Sequence, residues 1–339
     1  MEKIILIIIL ASFCTDLLFG EFPSPIHPVV WMGKLIERMK NLFFQDSKYI
    51  DILSGILITI SLIFIFVLLF TIILIFSSFN LILFLITASL LLSTTFSVKF
   101  LLRSAKEVAL DLDEDIDKGR KSLSFLVSRK TSKLSLQEIV SATIETLTEN
   151  VVDSVVSPIF YCIIVFFLFM FLFPNSSPFF IKIGLTSTYQ ILVISAVAAS
   201  VSYRVVNTLD AMVGYKDSTN INIGWFPAKL DDVLNFIPAR ITSMLIVLAA
   251  FILSFDYEQS WKIILKDANL TPSPNSGYPM AAAAGALNVQ LNKPGTYKLG
   301  ESKKCLTINE IKLAIKLSFV TIILFLVGIS LFFIIFAYW

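Results

Sequence analysis

Apolar and polar residues fall along this chain in long blocks rather than in the alternation of a half-buried strand. Apolar runs occupy about 4–19, 50–76, 79–98, 155–173, 179–201 and 314–337. Most approach the roughly 20 residues that a helix needs to cross a bilayer. Ser77, Ser78 and Asn80 interrupt 50–98 only softly, so those two runs are expected as a tight hairpin. Asn175, Ser176, Ser177 and Pro178 turn the chain between two further runs. A shorter run, 241–255, fits a re-entrant or buried helix as well as a crossing. Polar segments lie between the runs at 20–49, 99–153, 203–240 and 256–313. The pattern predicts an all-α, polytopic α-helical integral membrane protein forming a single domain over 1–339. Residues 99–153 are a helical polar segment, because their apolar positions recur at helical period; the other polar segments are loops.

Composition agrees. Hydrophobic residues make up 56% of the 339 and charged residues 15%, against about 25% charged in soluble domains. Charge then orients the chain. Lys34, Arg38, Arg103, Lys118, Arg120, Arg204 and Lys216 lie in segments that a hairpin at 50–98 places on one side, whereas the 174–178 turn carries no Lys or Arg. The positive-inside rule makes the motif-bearing side cytoplasmic, in a multi-pass protein of the cell membrane. Region 256–313 is lysine-rich and prefers that side too, which argues against a simple crossing by 241–255. A net charge of +2 gives no reason to expect nucleic acid. Cys14, Cys162 and Cys305 are too scattered for zinc or a disulfide framework. Lys3 and the run to Phe13 resemble a signal peptide, but no prompt small-x-small site follows, so an uncleaved first span is expected.

Polar side chains in a lipid-compatible chain belong in water, in a cavity or against one another. Glu145, Glu149 and Asp153 recur every four residues with Asn150 beside them. Like charges at that spacing repel, so they line either a solvated face or a cation such as Mg, which binds phosphates through one or two carboxylates. Arg204, Asn207 and Asp210 follow at steps of three on one helix face. That arrangement suits an anion held by Arg, or an Arg–Asp pair closing a helix end. Asp231, Asp232, Asn235 and Arg240 gather before the next apolar run, as a site or as interfacial anchors. His27, boxed by Pro25 and Pro28, is an acid–base candidate or a rigid loop residue. The stiff loop 271–277 offers Ser273 and Asn275. There is no G-x-x-x-x-G-K-[ST], no G-x-G-x-x-G and no H-E-x-x-H.

These residues carry a resemblance. The chain resembles the CobD/CbiB family of adenosylcobinamide-phosphate synthases of cobalamin biosynthesis over nearly its whole length. The resemblance rests on Asp16-Leu-Leu-Phe-Gly20, His27-Pro-Val-Val-Trp-Met-Gly33, Ile144-Glu145, Glu149-Asn150 and Val152-Asp153. It continues through Arg204, Asn207-Thr-Leu-Asp210, Met212-Val-Gly-Tyr215, Gly224-Trp225 and Leu230-Asp-Asp-Val-Leu-Asn235. Pro238-Ala-Arg240 and Pro272-Ser-Pro-Asn275 with Gly277 complete it. The chain departs from the family at Gly20-Glu21-Phe22 (usually Gly-Asp-Pro), at Ser128-Arg129-Lys130-Thr131 (Gly-Arg-Asp-Thr) and at Met280, where a Glu is common. The resemblance therefore does not carry Arg129 or the 278–280 turn as direct ligands.

What the resemblance implies is an amide-forming ligase, joining adenosylcobyric acid at its f-side propionate to aminopropanol or its O-phosphate. Such ligases activate the acid with ATP and Mg; no tightly bound cofactor is expected. Glu145, Glu149, Asp153, Asp210, Asp231 and Asp232 are then the catalytic candidates, with Mg on Glu145, Glu149 and Asp153. His27, Asn150, Arg204, Asn207, Tyr215, Trp225, Asn235, Arg240, Ser273 and Asn275 are the substrate-binding candidates. Membrane lipid and other cobalamin-pathway enzymes are the remaining partners. The alternatives are a transporter, for which the chain shows no repeated halves, and a non-catalytic scaffold for the pathway.

Overall fold

Several helices begin at a side-chain cap, with His27, Asn80, Asp115, Ser135 and Asp256 each accepting from a backbone N–H of the first turn. The computed structural model describes residues 2–172 and 188–337. Its helices are α1 (Glu2–Phe19), α2 (Pro28–Phe43), α3 (Lys48–Ser77), α4 (Leu81–Ser93), α5 (Lys99–Glu114), α6 (Ile116–Ser124) and α7 (Leu136–Val151). There follow α8 (Ser157–Leu172), α9 (Thr188–Val213), α10 (Trp225–Leu234), α11 (Phe236–Ile252), α12 (Tyr257–Asp267), α13 (Gly277–Leu287) and α14 (Ile308–Ala337). The Asn175–Pro178 turn, the start of the 179–201 run and Tyr338–Trp339 lie outside the described residues.

Among the described residues, four helical stretches are long and apolar enough to cross a membrane: Lys48–Ser77, Leu136–Leu172, Thr188–Val213 and Ile308–Phe336. Trp225–Leu234 with Phe236–Ile252 makes a fifth if that pair is one broken span. The all-α polytopic architecture holds, with changes of detail. α1 follows the first apolar run but carries Glu2, Lys3 and Asp16 in 18 residues and is not one of the four. The second arm of the expected hairpin is only 13 helical residues. The 155–173 run is not a separate span: it continues α7 through a π-helical turn at Val152–Val156 into one stretch of 37 residues. At 1.5 Å per residue that is about 55 Å, well beyond a hydrocarbon core of roughly 30 Å. Its polar first half therefore stands outside the lipid.

The chain groups into two compact units. The first comprises Met1–Ser97, Ser157–Leu234 and Phe333–Trp339. Its central element is α9, which packs on α2, α3, α4, α8 and α10. Buried Phe66, Phe70, Phe84 and Phe166 fill the space between helices, and Phe13 stacks on Phe96 at 4.5 Å.

The second unit comprises Val98–Val156 and Asn235–Phe332. Its core is α13, an alanine-rich helix in which all but Tyr278 are buried. Methyl side chains let α7, α11 and α12 approach it closely. A Ser135–Glu138 capping box starts α7, which satisfies two otherwise orphaned backbone N–H groups.

The second unit also holds two strands that the sequence pattern did not anticipate, β1 (Gln290–Lys293) and β2 (Tyr297–Gly300), paired antiparallel. They are joined by Pro294-Gly295, with Thr296 N donating to Lys293 O at 2.9 Å. Gly295 has φ +73°, which is the second central position of a type II turn with proline at the first. The hairpin sets Asn292 N against the Ser141 hydroxyl on α7 at 2.8 Å. No atom lies near the position of a Gly295 Cβ, so substitution there acts through backbone strain alone. Gly295→Val is expected to destabilise by about 1–2 kcal/mol, whereas Gly295→Asn, which tolerates positive φ, loses less. Thermal unfolding of both variants checks this order.

Candidate functional site

In the first unit the last three turns of α9 present Arg204, Asn207 and Asp210. Arg204 Nη1 donates to Asn207 Oδ1 at 3.4 Å, and Asn207 Nδ2 donates to Asp231 Oδ1 on α10 at 3.3 Å. Asp231 is buried. Asp232 lies within electrostatic reach of Asp210 and pairs loosely with exposed Lys229 at 3.5 Å. The loop from α9 to α10 is tied by its own side chains. Asp217 accepts bonds from Asn220, Thr219 and their backbone, which hold its carboxyl down at about 2, and Lys40 Nζ donates to Asn220 Oδ1 at 2.6 Å. Gly214 N closes on Asp210 O at 2.8 Å, and a Cβ on Gly214 would collide with the Asp210 carboxylate. Tyr215 and Trp225 in this connection are exposed.

His27 is 8% exposed and caps α2, its Nδ1 accepting from Val29 N at 3.2 Å. An Nδ1 that accepts must be unprotonated. Burial lowers the His27 pKa, the Glu21 charge opposes that, and the Arg204 charge adds to it. Glu21, His27, Arg204, Asn207 and Asp231 therefore share one neighbourhood, although the chain separates them by up to 210 residues. Because the folded pKa lies below the unfolded value of about 6.5, the unfolded chain binds more protons in the interval between them. The contribution of His27 to stability is thus complete above about pH 6.5 and is lost as pH falls from there through the folded pKa. The unfolding temperature is expected to drop on acidification over that interval, and His27→Asn, which keeps a cap without titrating, should flatten that part of the profile.

In the second unit Glu145 is 4% exposed and both its oxygens are engaged. Ser141 Oγ donates to Oε1 at 2.6 Å. Arg129 Nη2 and the Tyr297 hydroxyl each donate to Oε2 at 2.9 Å. Burial and the Glu145 charge push the Tyr297 phenol up, with Glu149 adding to the effect, so it remains a donor. Tyr297 also approaches Met280 Sδ at 3.8 Å. No group of three His, Cys, Asp or Glu side chains stands together as a ready-made metal cluster among the described residues. The every-four spacing assumes uninterrupted α-helix, and the π turn begins at the residue before Asp153. Asn150 folds onto its own helix, its amide donating to Thr146 O at 2.8 Å.

Also in the second unit, Arg240 lies between two rings, 3.5 Å from the Phe236 centroid and 4.1 Å from that of Tyr278. It donates to Phe236 O at 2.6 Å and to Asn275 Oδ1 at 3.3 Å. Asn275 and Asn235 are buried. Ser273 shapes the loop, its Oγ accepting from Asn275 N at 3.3 Å and its carbonyl from Thr271 Oγ1 at 2.7 Å. The stack holds the guanidinium plane in place and leaves its edge for an anion.

Sequence reasoning misses Ser141, Tyr297 and Tyr278, and sets Arg129 aside. Ser141 lies four residues before Glu145, a spacing that can be read. Tyr297 lies 152 residues away from Glu145, and no local signal connects them.

Spanning helices that carry buried clusters of carboxylate, guanidinium and amide groups define a polytopic membrane protein built around polar sites. The chain belongs to the CobD/CbiB family: residues 9–320 match the family described as CobD/Cbib protein. It is 47% identical over 319 residues to a probable cobalamin biosynthesis protein CobD of Methanothermobacter thermautotrophicus, covering 94% of each chain. It is 36% identical to the protein of the same name from Methanococcus aeolicus, covering 98% of each. A cobalamin biosynthesis protein CobD of Dehalococcoides mccartyi is 34% identical, over 88% of this chain and 87% of that one. No solved structure matches.

Proposed function

We propose that this protein is an amide-forming ligase of cobalamin biosynthesis, working at the cytoplasmic face of the cell membrane. It joins the f-side propionate of adenosylcobyric acid to the amine of aminopropanol or its O-phosphate. The observation that carries the reading is the convergence of Glu21, His27, Arg204, Asn207 and Asp231 in a chain matched to the family over residues 9–320. A carboxylate and an amine do not condense in water unaided, so ATP and Mg belong to the proposal. ATP supplies the activation: the carboxylate takes its γ-phosphoryl group, ADP leaves, the amine nitrogen attacks the acyl carbon, and phosphate departs with the C–O bond.

The residues present favour a division of labour. Arg204 and Arg240 suit anionic groups of the substrates. Asn207, Asn235 and Asn275 suit the amide-rich corrin rim. Asp210, Asp231 and Asp232 are the carboxylates available to take the proton of the attacking amine. Glu145, engaged by three donors, fits a positioning role better than a Mg site, which leaves Glu149 and Asp153 as the candidates to contact the metal.

The test is turnover. Protein purified in detergent is given adenosylcobyric acid, ATP, Mg and aminopropanol with or without its phosphate, and products are read by mass. Amide product with ATP consumed supports the reading. No amide from folded protein in either condition overturns it and shifts weight to transport or scaffolding.

A further inference from the structure

The first unit holds an apolar groove of about 250 Å³ that no candidate site residue lines. Its walls are Ile26, Pro28 and Trp31 around the start of α2, α3 at Leu69 and Ile73, and α4 with Leu90. We propose that this groove binds one hydrocarbon tail of a membrane lipid, and that the seated tail braces the turn carrying His27.

Three observations carry the assignment. The first is the chemistry of the lining. It contains no charged side chain. Trp31 Nε1 donates to Pro25 O at 2.8 Å, and Thr94 Oγ1, also in the wall, donates to Leu91 O at 2.7 Å. Pro28 has no N–H to offer. A polar guest would lose its own hydrogen bonds there, whereas a hydrocarbon chain has none to lose and gains close packing. The volume falls below the roughly 300–1,000 Å³ of pockets that enclose a drug-sized ligand, which suits a single tail and excludes a corrinoid.

The second is depth. Ile36 and Lys40 border one small space together with Gly55 and Ile58, and Pro28 and Trp31 border the groove together with Leu69 and Ile73. α2 therefore runs antiparallel alongside α3, and the groove begins about 16 Å further along α3 than Ile58. α3 is one of the helices long and apolar enough to cross a membrane, so the groove lies on a spanning element. The third is continuity. Leu68 and Ile72 on α3, and Leu83 and Ile86 on α4, are exposed next to the groove's own residues in the chain. Such a surface on a spanning pair belongs against lipid, and tails reach the groove from it without crossing water.

The consequence follows from the chain. Ile26 and Pro28 flank His27, whose Nδ1 accepts from Val29 N at 3.2 Å to cap α2. A tail packed on Ile26, Pro28 and Trp31 holds the turn that sets where the imidazole stands.

The experiment is native mass spectrometry of the full chain, released from nanodiscs made of equal parts dioleoyl- and diphytanoylphosphatidylcholine, a straight-tailed and a branched probe. One retained lipid per chain is expected. Ile73→Trp and Leu90→Trp, both at exposed positions of the wall, fill the groove from two sides without disturbing buried residues, and each is expected to weaken retention about tenfold. Hydrogen exchange supplies a second readout. Amides within 26–31 are expected to exchange about tenfold faster in delipidated than in lipid-loaded wild type, and at a lipid-independent rate in both variants. Equal retention in the wild type and both variants marks non-specific surface lipid and overturns the proposal, as does occupancy by detergent alone. Lipid-independent exchange of the 26–31 amides in the wild type overturns the bracing of the His27 turn. Neither readout needs turnover, so failure here and failure of the ligase reading are distinguishable.

Discussion

Arg129→Ala is expected to destabilise the protein by about 3–5 kcal/mol, because it strands a buried carboxylate. Glu145 is 4% exposed, and in the folded chain its charge is answered by one guanidinium group and two neutral hydroxyls. Neither hydroxyl carries charge, so Ser141 and Tyr297 cannot replace what Arg129 supplies. The double variant Arg129→Ala with Glu145→Gln should recover much of the loss, since an amide keeps an acceptor for Ser141 or Tyr297 and has no charge to bury. Thermal unfolding of the two singles and the double measures the coupling. A loss under about 1 kcal/mol in Arg129→Ala, the size of a surface ion pair, would show that water reaches Glu145 and would remove the case for a closed cluster.

Arg204→Lys is expected to lower turnover by about 10²–10³, the size of effect seen when one preorganised donor to a reacting anion is removed. Lysine keeps the charge and loses the planar fork. Arg204 is tied to Asn207 Oδ1 at 3.4 Å, and Asn207 in turn to Asp231 at 3.3 Å, so the change also releases the amide that orients Asp231. The expected signature is a fall in kcat/KM with little change in unfolding temperature, because Arg204 is only half-buried. Turnover within twofold of the wild type would take Arg204 out of the site.

Parts of the candidate site are legible in the sequence alone. The i+3 steps of Arg204, Asn207 and Asp210 put them on one face, and α9 links Arg204 through Asn207 to Asp231 while Asp210 lies within electrostatic reach of Asp232. The lone histidine is a helix cap, a role that Pro28 behind it makes readable. Glu145, Glu149 and Asp153 have the spacing of one acidic face, but that inference presumes regular α-helix and solvent alongside. Ser141–Glu145 is buried on nearly every side, and Val152–Val156 winds as π-helix. A one-residue change in winding rotates everything after it by about 100°, and nothing in the local pattern announces it.

By itself the sequence determined the class of protein, the long apolar helices, the placement of the polar segments and the family. Each of these is a property of composition or of a short window: a run of apolar residues excludes water whatever surrounds it, and motif blocks are contiguous. Only the tertiary structure decided that Arg129 and Tyr297 answer Glu145, that Phe236 and Tyr278 clamp Arg240, that Asn292 docks on Ser141, and that the chain divides into two units. A buried charge must find its partners wherever the fold brings them, and those partners come from segments whose own sequences carry no trace of the meeting.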